Sequence, residues 1–404
     1  MDPIVVGVFV VVYLGMMLGE LPGLKLDRTG IALLGAIALV ASGTMSLDDA
    51  WRAIDVPTIA LLLGLMVISA QFRLGGFYSK LTRQLGERGG SPAALLALVI
   101  AASGGLSAVL ANDIVCLAMA PVLIEVCTYR RLNPVPYLLA LACAANVGSA
   151  ATLIGNPQNM LIGQTLDLSF GGYLLDGGLP ALAGLFVVWA VIVAWYRLRW
   201  ERDAPRIEVA APPFDRWQTI KGAVVTVVVV MAFLFTDWPR ELVALTAAGV
   251  LLVSRRLASR DMIGLVDWPL LVLFIGLFVI NRAMAQSGLV GGLLMMSRMA
   301  GADLTNAPVL FTVTAVLSNM VSNVPAVMLL LPAARGALDG AVLALSSTLA
   351  GNLIIVGSIA NIIVVDQAAR LGVAIDWRVH ARVGVPVTML TLALAAGWLA
   401  LRGW

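Results

Sequence analysis

The stretch SAATLIGNPQN, residues 149–159, sets polar and helix-breaking residues inside a long apolar segment. It lies between LALACAANVG and MLIGQTL, whose composition is typical of a membrane helix. Pro157 has no backbone N–H and its ring clashes with the preceding turn, so a helix breaks there. Backbone groups freed at such a break cannot face lipid and need protein or water around them. The stretch therefore predicts a broken helix that borders a polar pocket within a membrane.

The composition of the whole chain is that of an all-α polytopic membrane protein. The 404 residues are 60% apolar and 12% charged, whereas soluble domains carry about 25% charged residues. A bilayer core about 30 Å thick is crossed by about 20 helical residues. The first twenty residues have no basic n-region and are expected to be a retained span. Candidate spans lie near 3–20, 30–46, 56–72, 136–163, 177–196, 219–236, 241–254, 268–284, 341–365 and 382–401.

Two further apolar stretches, 92–128 and 305–334, each contain an internal polar break. We interpret them as re-entrant helical hairpins. A pair of full spans is the alternative for each stretch, and either choice leaves both of its ends on one side of the membrane.

The basic residues predict the orientation, because cytoplasmic loops of membrane proteins carry an excess of Lys and Arg. With the N-terminus outside, 20 of the 26 basic residues fall on the cytoplasmic side. The polar linker 197–217 then lies in the cytoplasm and divides the chain into a first repeat, 1–196, and a second, 218–404. We expect a multi-pass protein of the cytoplasmic (inner) membrane. The basic residues predicted outside are Arg52, Arg240, Arg282, Arg298, Arg335 and Arg402.

The two halves share several motifs at similar spacing. The matched elements are Asp55-Val-Pro57 with Asp267-Trp-Pro269, Gly64 with Gly276, Asn112 with Asn323, and Gly155–Asn159 with Gly357–Asn361. Each half contains an odd number of predicted crossings, so the second repeat must be inverted relative to the first. Inverted repeats with broken helices are typical of secondary transporters, whose sites lie near the midplane between the repeats.

Four polar clusters recur in mirrored positions, at the two hairpin tips and at the two helix breaks. We predict that they form one site for substrate and coupling ion. Polar groups that only join helices are the alternative for any single cluster, but the shared spacing would then be a coincidence. The predicted site residues are Asn112, Asp113, Asn146, Ser149, Thr152, Gly155, Asn156, Gln158, Asn159, Ser322, Asn323, Asn352, Gly357, Ser358 and Asn361.

Asp113 is the predicted proton-coupling residue. A carboxylate deep in a membrane segment costs about 2.5–3.5 kcal/mol on insertion scales, so such a group is usually functional. A bound cation, or a helix cap, would be other roles for the same side chain. Its mirror position is Val324, so the pair of repeats holds one such acid. We expect Glu20 and Glu125 at the membrane interface and His380 in a solvated cytoplasmic loop.

The sequence argues against an enzyme. It contains no H-E-x-x-H, no G-x-S-x-G and no phosphate-binding loop. One histidine and three dispersed cysteines predict no metal site, and we expect neither a cofactor nor a nucleic-acid partner. An ion channel stays open as a different class of function, although two inverted hairpins that meet at one site favour alternating access.

Four motifs in this order resemble the ion transporter superfamily, over about residues 1–400. They are AND-x7-P from Ala111, IGNPQN from Ile154, SNVPAVMLLLP from Ser322 and AGNLIIVGSIAN from Ala350. The superfamily includes arsenite efflux permeases, NhaD-type sodium/proton antiporters and divalent-anion/sodium symporters. The resemblance implies about ten spans, two hairpins and two broken helices in inverted repeats. It also implies a homodimer with a scaffold part and a moving transport part.

The hairpin tips look closest to the arsenite permease branch. In the symporters each tip carries Ser-Asn-Thr, but here the tips read Ala111-Asn112-Asp113 and Ser322-Asn323-Val324. We therefore predict proton-coupled efflux of arsenite and antimonite, which are neutral hydroxylated acids at pH 7. Sodium-coupled transport of a small anion (a dicarboxylate or a sulfate-like ion) and sodium/proton antiport are the alternatives. The expected partners are a small inorganic solute, H⁺ or Na⁺ as coupling ion, the lipid bilayer, a second copy and, as a further candidate, a cytoplasmic ATPase subunit.

Overall fold

The computed structural model describes residues 2–19, 24–88, 90–201, 205–299 and 301–404. These residues form twenty α-helices and two short 3₁₀ turns, and the described ranges contain no β-strand. The helices are α1 (Pro3–Leu18), α2 (Arg28–Ala41), α3 (Leu47–Ala53), α4 (Val56–Leu74), α5 (Phe77–Glu87), α6 (Pro92–Ser107), α7 (Asn112–Tyr129), α8 (Pro134–Ser149), α9 (Pro157–Thr165), α10 (Phe170–Tyr196), α11 (Arg216–Phe235), α12 (Arg240–Leu252), α13 (Ser259–Ile263), α14 (Trp268–Gln286), α15 (Leu289–Met299), α16 (Ala307–Val321), α17 (Asn323–Leu330), α18 (Ala337–Ala350), α19 (Ile359–Arg370) and α20 (Trp377–Leu401).

The predicted all-α polytopic membrane fold is confirmed. Six of the described helices, α4, α7, α10, α11, α14 and α20, are long and apolar enough to cross a bilayer unaided. The span predicted at 136–163 consists of α8 and α9, and the span predicted at 341–365 consists of α18 and α19. Both of these spans are broken helices, as the polar stretches within them predict.

The matched Asp-x-Pro motifs are helix starts. Asp55 accepts a hydrogen bond of 2.9 Å from the backbone N–H of Thr58 at the start of α4. Asp267 accepts one of 3.0 Å from Leu270 at the start of α14. A capping carboxylate satisfies one of the free N–H groups of the first turn, and proline in that turn has no N–H to satisfy.

The linker defines one side of the molecule, which we call the linker side; the opposite one is the far side. The N–H of Asp215, just before α11, donates to the carbonyl of Gly75 at the end of α4 at 3.0 Å. Helix α10 ends at Tyr196, immediately before the linker. Helices α4 and α10 therefore end on the linker side, and α11 begins there and ends at Phe235 on the far side.

Two mirrored glycine contacts pair helices across the halves of the chain. A Cβ on Gly64 would lie 2.7 Å from the carbonyl carbon of Ala244, and one on Gly276 would lie 2.8 Å from that of Ala32. The glycines are 212 residues apart, and so are the alanines. The first contact packs α4 on α12, and the second packs α14 on α2. These contacts support an inverted repeat; the boundaries at 196 and 218 stay a prediction.

The linker lies against the base of the first hairpin. Glu125 of α7 accepts a hydrogen bond of 3.0 Å from the N–H of Val209 and forms an ion pair of 2.9 Å with Arg83 of α5. Arg83 also donates to the carbonyl of Val209 at 3.3 Å. Glu125 therefore lies at the hairpin base, against the linker, and its place at the membrane interface stays a prediction. Glu20 lies outside the described residues.

The prediction of a solvated loop at His380 is wrong. Asp376 caps α20 by accepting from the N–H of Val379 at 2.7 Å, so His380 already lies in the first turn of a helix. Its side chain is 1% exposed, and its Nε2 lies 3.0 Å from the carbonyl oxygen of Asn352. The local sequence is basic, but the helix turns this position inward, toward the second helix break.

Candidate functional site

The first break, between α8 and α9, is held open by two asparagines. Asn156 caps α9, and its side chain accepts a hydrogen bond of 2.9 Å from the N–H of Asn159. Nδ2 of Asn159 donates to the carbonyl of Thr152 at 2.9 Å and to that of Ser149 at 3.4 Å. The amide thus satisfies two carbonyls that the helix can no longer reach.

The second break has the same arrangement, in which one asparagine side chain donates to two backbone carbonyls. Nδ2 of Asn361 donates to the carbonyl of Gly351 at 2.8 Å and to that of Ile354 at 3.2 Å. All three positions lie 202 residues after their counterparts Asn159, Ser149 and Thr152. The two predicted asparagines therefore shape the broken backbone in the same way in each half.

Glycine is required at the first break. A Cβ on Gly155 would lie 2.3 Å from the carbonyl oxygen of Ser149 and 2.7 Å from that of Ser107. The carbonyl of Gly155 lies 3.4 Å from the backbone N of Asn112, which donates to it at the first hairpin tip. The tip thus meets the break inside the α8–α9 span, while the choice between a re-entrant hairpin and a pair of full spans stays a prediction.

Asn146 connects the two breaks and the first hairpin tip. Its Nδ2 donates to Oδ1 of Asn352 at 2.8 Å and to Oδ1 of Asn361 at 3.2 Å. Its Oδ1 accepts from the hydroxyl of Ser358 at 2.8 Å and from Nδ2 of Asn112 at 3.4 Å. Residues that are more than 200 positions apart in sequence thus form one buried amide network.

Thr348 is a second junction, and sequence reasoning missed it. Its hydroxyl accepts from Nε2 of Gln158 at 3.1 Å and from Nδ2 of Asn156 at 3.3 Å. The same hydroxyl donates to Oδ1 of Asn159 at 3.3 Å. Thr348 lies 202 residues after Asn146, the spacing that relates the two breaks. Applying this spacing to Asn146 would have identified it.

The second hairpin tip is strained and contacts both breaks. Ser322 has φ of 79° and ψ of 161°, a region that residues other than glycine rarely occupy. Such strain costs about 1–3 kcal/mol and often marks a functional site. With its amide oriented to satisfy both ends, Asn323 donates to the carbonyl of Gly357 at 3.1 Å and accepts from Gln158 at 3.2 Å.

A cavity of about 270 Å³ reaches the first hairpin tip. Asn112 and Asp113 line it, together with Pro157 at the start of α9. Arg73 at the end of α4 and Asp267 at the start of α14 line it as well, so the cavity opens toward the linker side. Sequence reasoning missed both, because each reads as an ordinary charge at a helix end.

Asp113 is half-buried and faces this cavity. Within the described ranges it has no ion-pair partner within 4 Å. Apart from Asn112, none of the other predicted residues lines this cavity, and all of them are buried. The structure therefore separates an accessible acid from a sealed set of amides, and the assignment of all fifteen residues to one site stays a prediction.

The far side has its own groove, of about 870 Å³. Asp55, Asp167, Arg240 and Glu241 are among its lining residues, and none of the predicted site residues lines it. In this structure the site is therefore approached from the linker side.

Comparison with known proteins gives a family and a fold. The family model described as CitMHS, citrate transporter, matches residues 13–342. The 46 kDa membrane protein of Mycobacterium leprae is 30% identical over 100% of this chain and 99% of its own length. The silicon efflux transporter LSI3 of Oryza sativa is 29% identical over 93% of both chains.

Two solved structures share the fold at low sequence identity. The YdaH transporter of Alcanivorax borkumensis superposes with a TM-score of 0.59 at 16% identity, over 98% of this chain and 97% of that one. MtrF of Neisseria gonorrhoeae, described as one of a class of antimetabolite efflux pumps, gives 0.56 at 14% identity, over 99% and 95%.

Proposed function

The chain belongs to the citrate transporter (CitMHS) family and is a multi-pass secondary transporter, not an enzyme; from this premise we propose that it exports a small uncharged hydroxylated acid in exchange for protons. Arsenous and antimonous acid are the preferred substrates. The observation that carries the proposal is the first hairpin tip, where Asn112 and Asp113 line one cavity directly beside the buried amide network.

The chemistry of the network suits a neutral polyhydroxylated solute. Each Asn or Gln amide presents both donors and acceptors, so it can bind hydroxyl groups in either role. Asn112 reaches the cavity and is bonded to Asn146 behind it, which would place a bound solute against the network. The resemblance of the tips to arsenite permeases and the 29% identity to a silicon efflux transporter both support a solute of this class.

Asp113 is proposed to carry the coupled proton. It faces the cavity and has no ion-pair partner within 4 Å among the described residues, so a proton and a solute can compete for it. Sodium held by the same carboxylate would instead give a sodium-coupled transporter or a sodium/proton antiporter.

Arg73 favours a second candidate function, transport of a small carboxylate such as citrate. A guanidinium presents paired donors that match a carboxylate, and Arg73 shares its cavity with the hairpin tip. Asp113 and Asp267 line the same space and would repel an anion, so we rank this function second.

The proposed membrane location and oligomeric state rest on the sequence alone. We propose the cytoplasmic membrane, with the N-terminus outside and the linker in the cytoplasm, and a homodimer as the working unit. A cytoplasmic ATPase subunit is a further candidate partner.

Flux into proteoliposomes tests these proposals. Purified protein is reconstituted with an imposed pH gradient, with and without a sodium gradient, and uptake of arsenite, antimonite, silicic acid and citrate is measured. We expect arsenite and antimonite flux that follows the pH gradient and does not need sodium. Sodium-dependent citrate flux, with no movement of the neutral acids, would replace this proposal by the second one.

A further inference from the structure

The end of α9 is held on the far side by Arg240. Nη1 of Arg240 donates to the carbonyl of Gly163 at 3.2 Å, and Nη2 donates to the carbonyl of Leu168. These carbonyls belong to the last turn of α9 and to the residues that follow it. Carbonyls at a helix C-terminus lack partners within the helix and carry its partial negative charge. Arg240 thus attaches the broken helix to the start of α12.

A second contact strengthens this attachment. Glu241, the next residue of α12, accepts a hydrogen bond of 3.0 Å from Nε2 of Gln164 on α9. Both contacts join α12, which packs on α4, to the helix that leads out of the first break. Gln164, Arg240 and Glu241 all line the far-side groove, and none of the predicted site residues lines it.

Arg28 is the counterpart of Arg240 in the other half. It is the first residue of α2, as Arg240 is of α12, and the two are 212 residues apart. The same spacing relates Gly64 to Gly276 and Ala32 to Ala244. By this symmetry Arg28 lies on the linker side, where α19 ends.

The ends of α9 and α19 have the same backbone geometry. The N–H of Leu168 donates to the carbonyl of Gly163 at 3.0 Å, and that of Val373 donates to Ala368 at 2.8 Å. The residue before the donor has positive φ in both turns, 46° at Asp167 and 75° at Gly372. Helix α19 has 12 residues and α9 has 9, so positions at the ends of these helices are 205 residues apart, although their starts are 202 apart. Aligned by their ends, the carbonyls of Ala368 and Val373 are the counterparts of the two that Arg240 binds.

The two arginines differ in what they bind. Among the described residues, Arg28 donates only to the carbonyl of Met16 in α1, at 3.3 Å, and does not reach α19. The cavity that leads to Asp113 opens on this same side. The arginine bound to the end of α9 thus lies on the side without the cavity, and the arginine that does not reach α19 lies on the side where the cavity opens.

We infer that Arg240 and Arg28 are alternating latches of the transport cycle. Arg240 closes the far side by binding the end of α9 in the state seen here. When the linker side closes, Arg28 leaves Met16 and binds the carbonyls of Ala368 and Val373, while Arg240 releases α9. Glu241 corresponds to Thr29 and Gln164 to Ala369, so the linker-side latch lacks the second contact and is the weaker of the two.

Matched reporter cysteines can measure which side is open. Leu65 lines the linker-side cavity and is 4% exposed, whereas its counterpart Leu277, 212 residues further on, is 0% exposed and lines neither the cavity nor the far-side groove. Each is replaced by cysteine in a background in which the three native cysteines are alanine. A membrane-impermeant thiol reagent is then applied to either side of the full chain in vesicles of known orientation.

Arg240→Gln should lower labelling of Leu65→Cys from the linker side and raise labelling of Leu277→Cys from the far side. We expect about a tenfold change, the effect of losing a hydrogen bond to a charged group on a two-state equilibrium. Arg28→Gln should suppress labelling of Leu277→Cys, and Arg240→Lys should lie between wild type and Arg240→Gln.

Two surface variants serve as controls. Arg298→Gln removes a far-side arginine that is paired with Asp303 at 3.2 Å, and Arg260→Gln removes an exposed one on the linker side. Neither variant should change the labelling of Leu65→Cys or Leu277→Cys. The inference would be overturned if labelling of the reporter cysteines were unchanged in a folded Arg240→Gln protein. It would also be overturned if Arg240→Gln and Arg28→Gln changed the labelling in the same direction. The assay uses no solute, so an error in the proposed substrate would not affect it.

Discussion

Nδ2 of Asn146 donates a hydrogen bond of 2.8 Å to Oδ1 of Asn352, and this bond joins the broken helix of one half to that of the other. Both side chains are buried, with exposures of 1% and 0%. A buried polar group that loses its partner costs about 1–3 kcal/mol, because water cannot replace it. Side-chain hydrogen bonds therefore fix how the two breaks lie relative to each other.

Asn146→Leu should abolish solute flux and lower the free energy of unfolding by about 1–3 kcal/mol. The change removes the partner of Asn352, Asn361 and Ser358 at once. Flux in proteoliposomes and thermal unfolding in detergent measure the two effects. Ser103→Ala is the matched control, since Ser103 is buried but bonds the carbonyl of Val99 in its own helix at 2.7 Å. Normal flux in Asn146→Leu would show that the network only joins helices.

Asn159→Leu and Asn361→Leu should each stop transport, and each should also reduce stability by about 1–3 kcal/mol. Each asparagine satisfies two backbone carbonyls at its break, so leucine leaves both without a donor. The same assays apply, with membrane insertion checked by expression level. Because the two asparagines make equivalent hydrogen bonds in the two halves, we expect the two variants to lose similar amounts of transport and stability. A large loss in one and none in the other would contradict equivalent roles.

Asp113→Asn should uncouple the exchanger. Asparagine keeps the shape and hydrogen-bonding capacity of the side chain, so solute can still bind and exchange down its gradient. Uphill flux driven by protons should vanish, and the pH dependence of the remaining exchange should flatten.

The measurement is solute flux at several imposed pH gradients, with Asp303→Asn as a surface control. Loss of sodium stimulation with intact proton coupling would instead assign Asp113 to sodium. Full uphill transport with an unchanged pH profile would leave it as a helix cap.

A cysteine at Ala210 tests the orientation. Ala210 is an exposed residue of the linker, and the charge distribution predicts that the linker lies in the cytoplasm. Ala210→Cys should react with an impermeant thiol reagent only in inside-out vesicles. Asp237→Cys, exposed on the far side, should react only in right-side-out vesicles. The opposite pattern would reverse the predicted topology.

Much of the fold was determined by local chemistry that can be read from the sequence. Pro157 and Gly155 break α8 from α9 through their own backbone properties, whatever surrounds them. Asp55 and Asp267 each start a helix, because a carboxylate before a proline-containing first turn caps the free N–H groups. The length of the apolar stretches predicted the spans, and the motif spacing shared by the two halves predicted the matched breaks and hairpin tips.

Only the tertiary structure decided which side chains meet. Thr348 joins three amides of the other half, Arg73 shares a cavity with Asp113, and His380 lies buried against Asn352. These relationships depend on how two inverted halves pack, and that packing brings together residues with no local pattern in common. Arg28 and Arg240 show the same limit: the sequence makes them equivalent, but the structure attaches only Arg240 to the end of its broken helix.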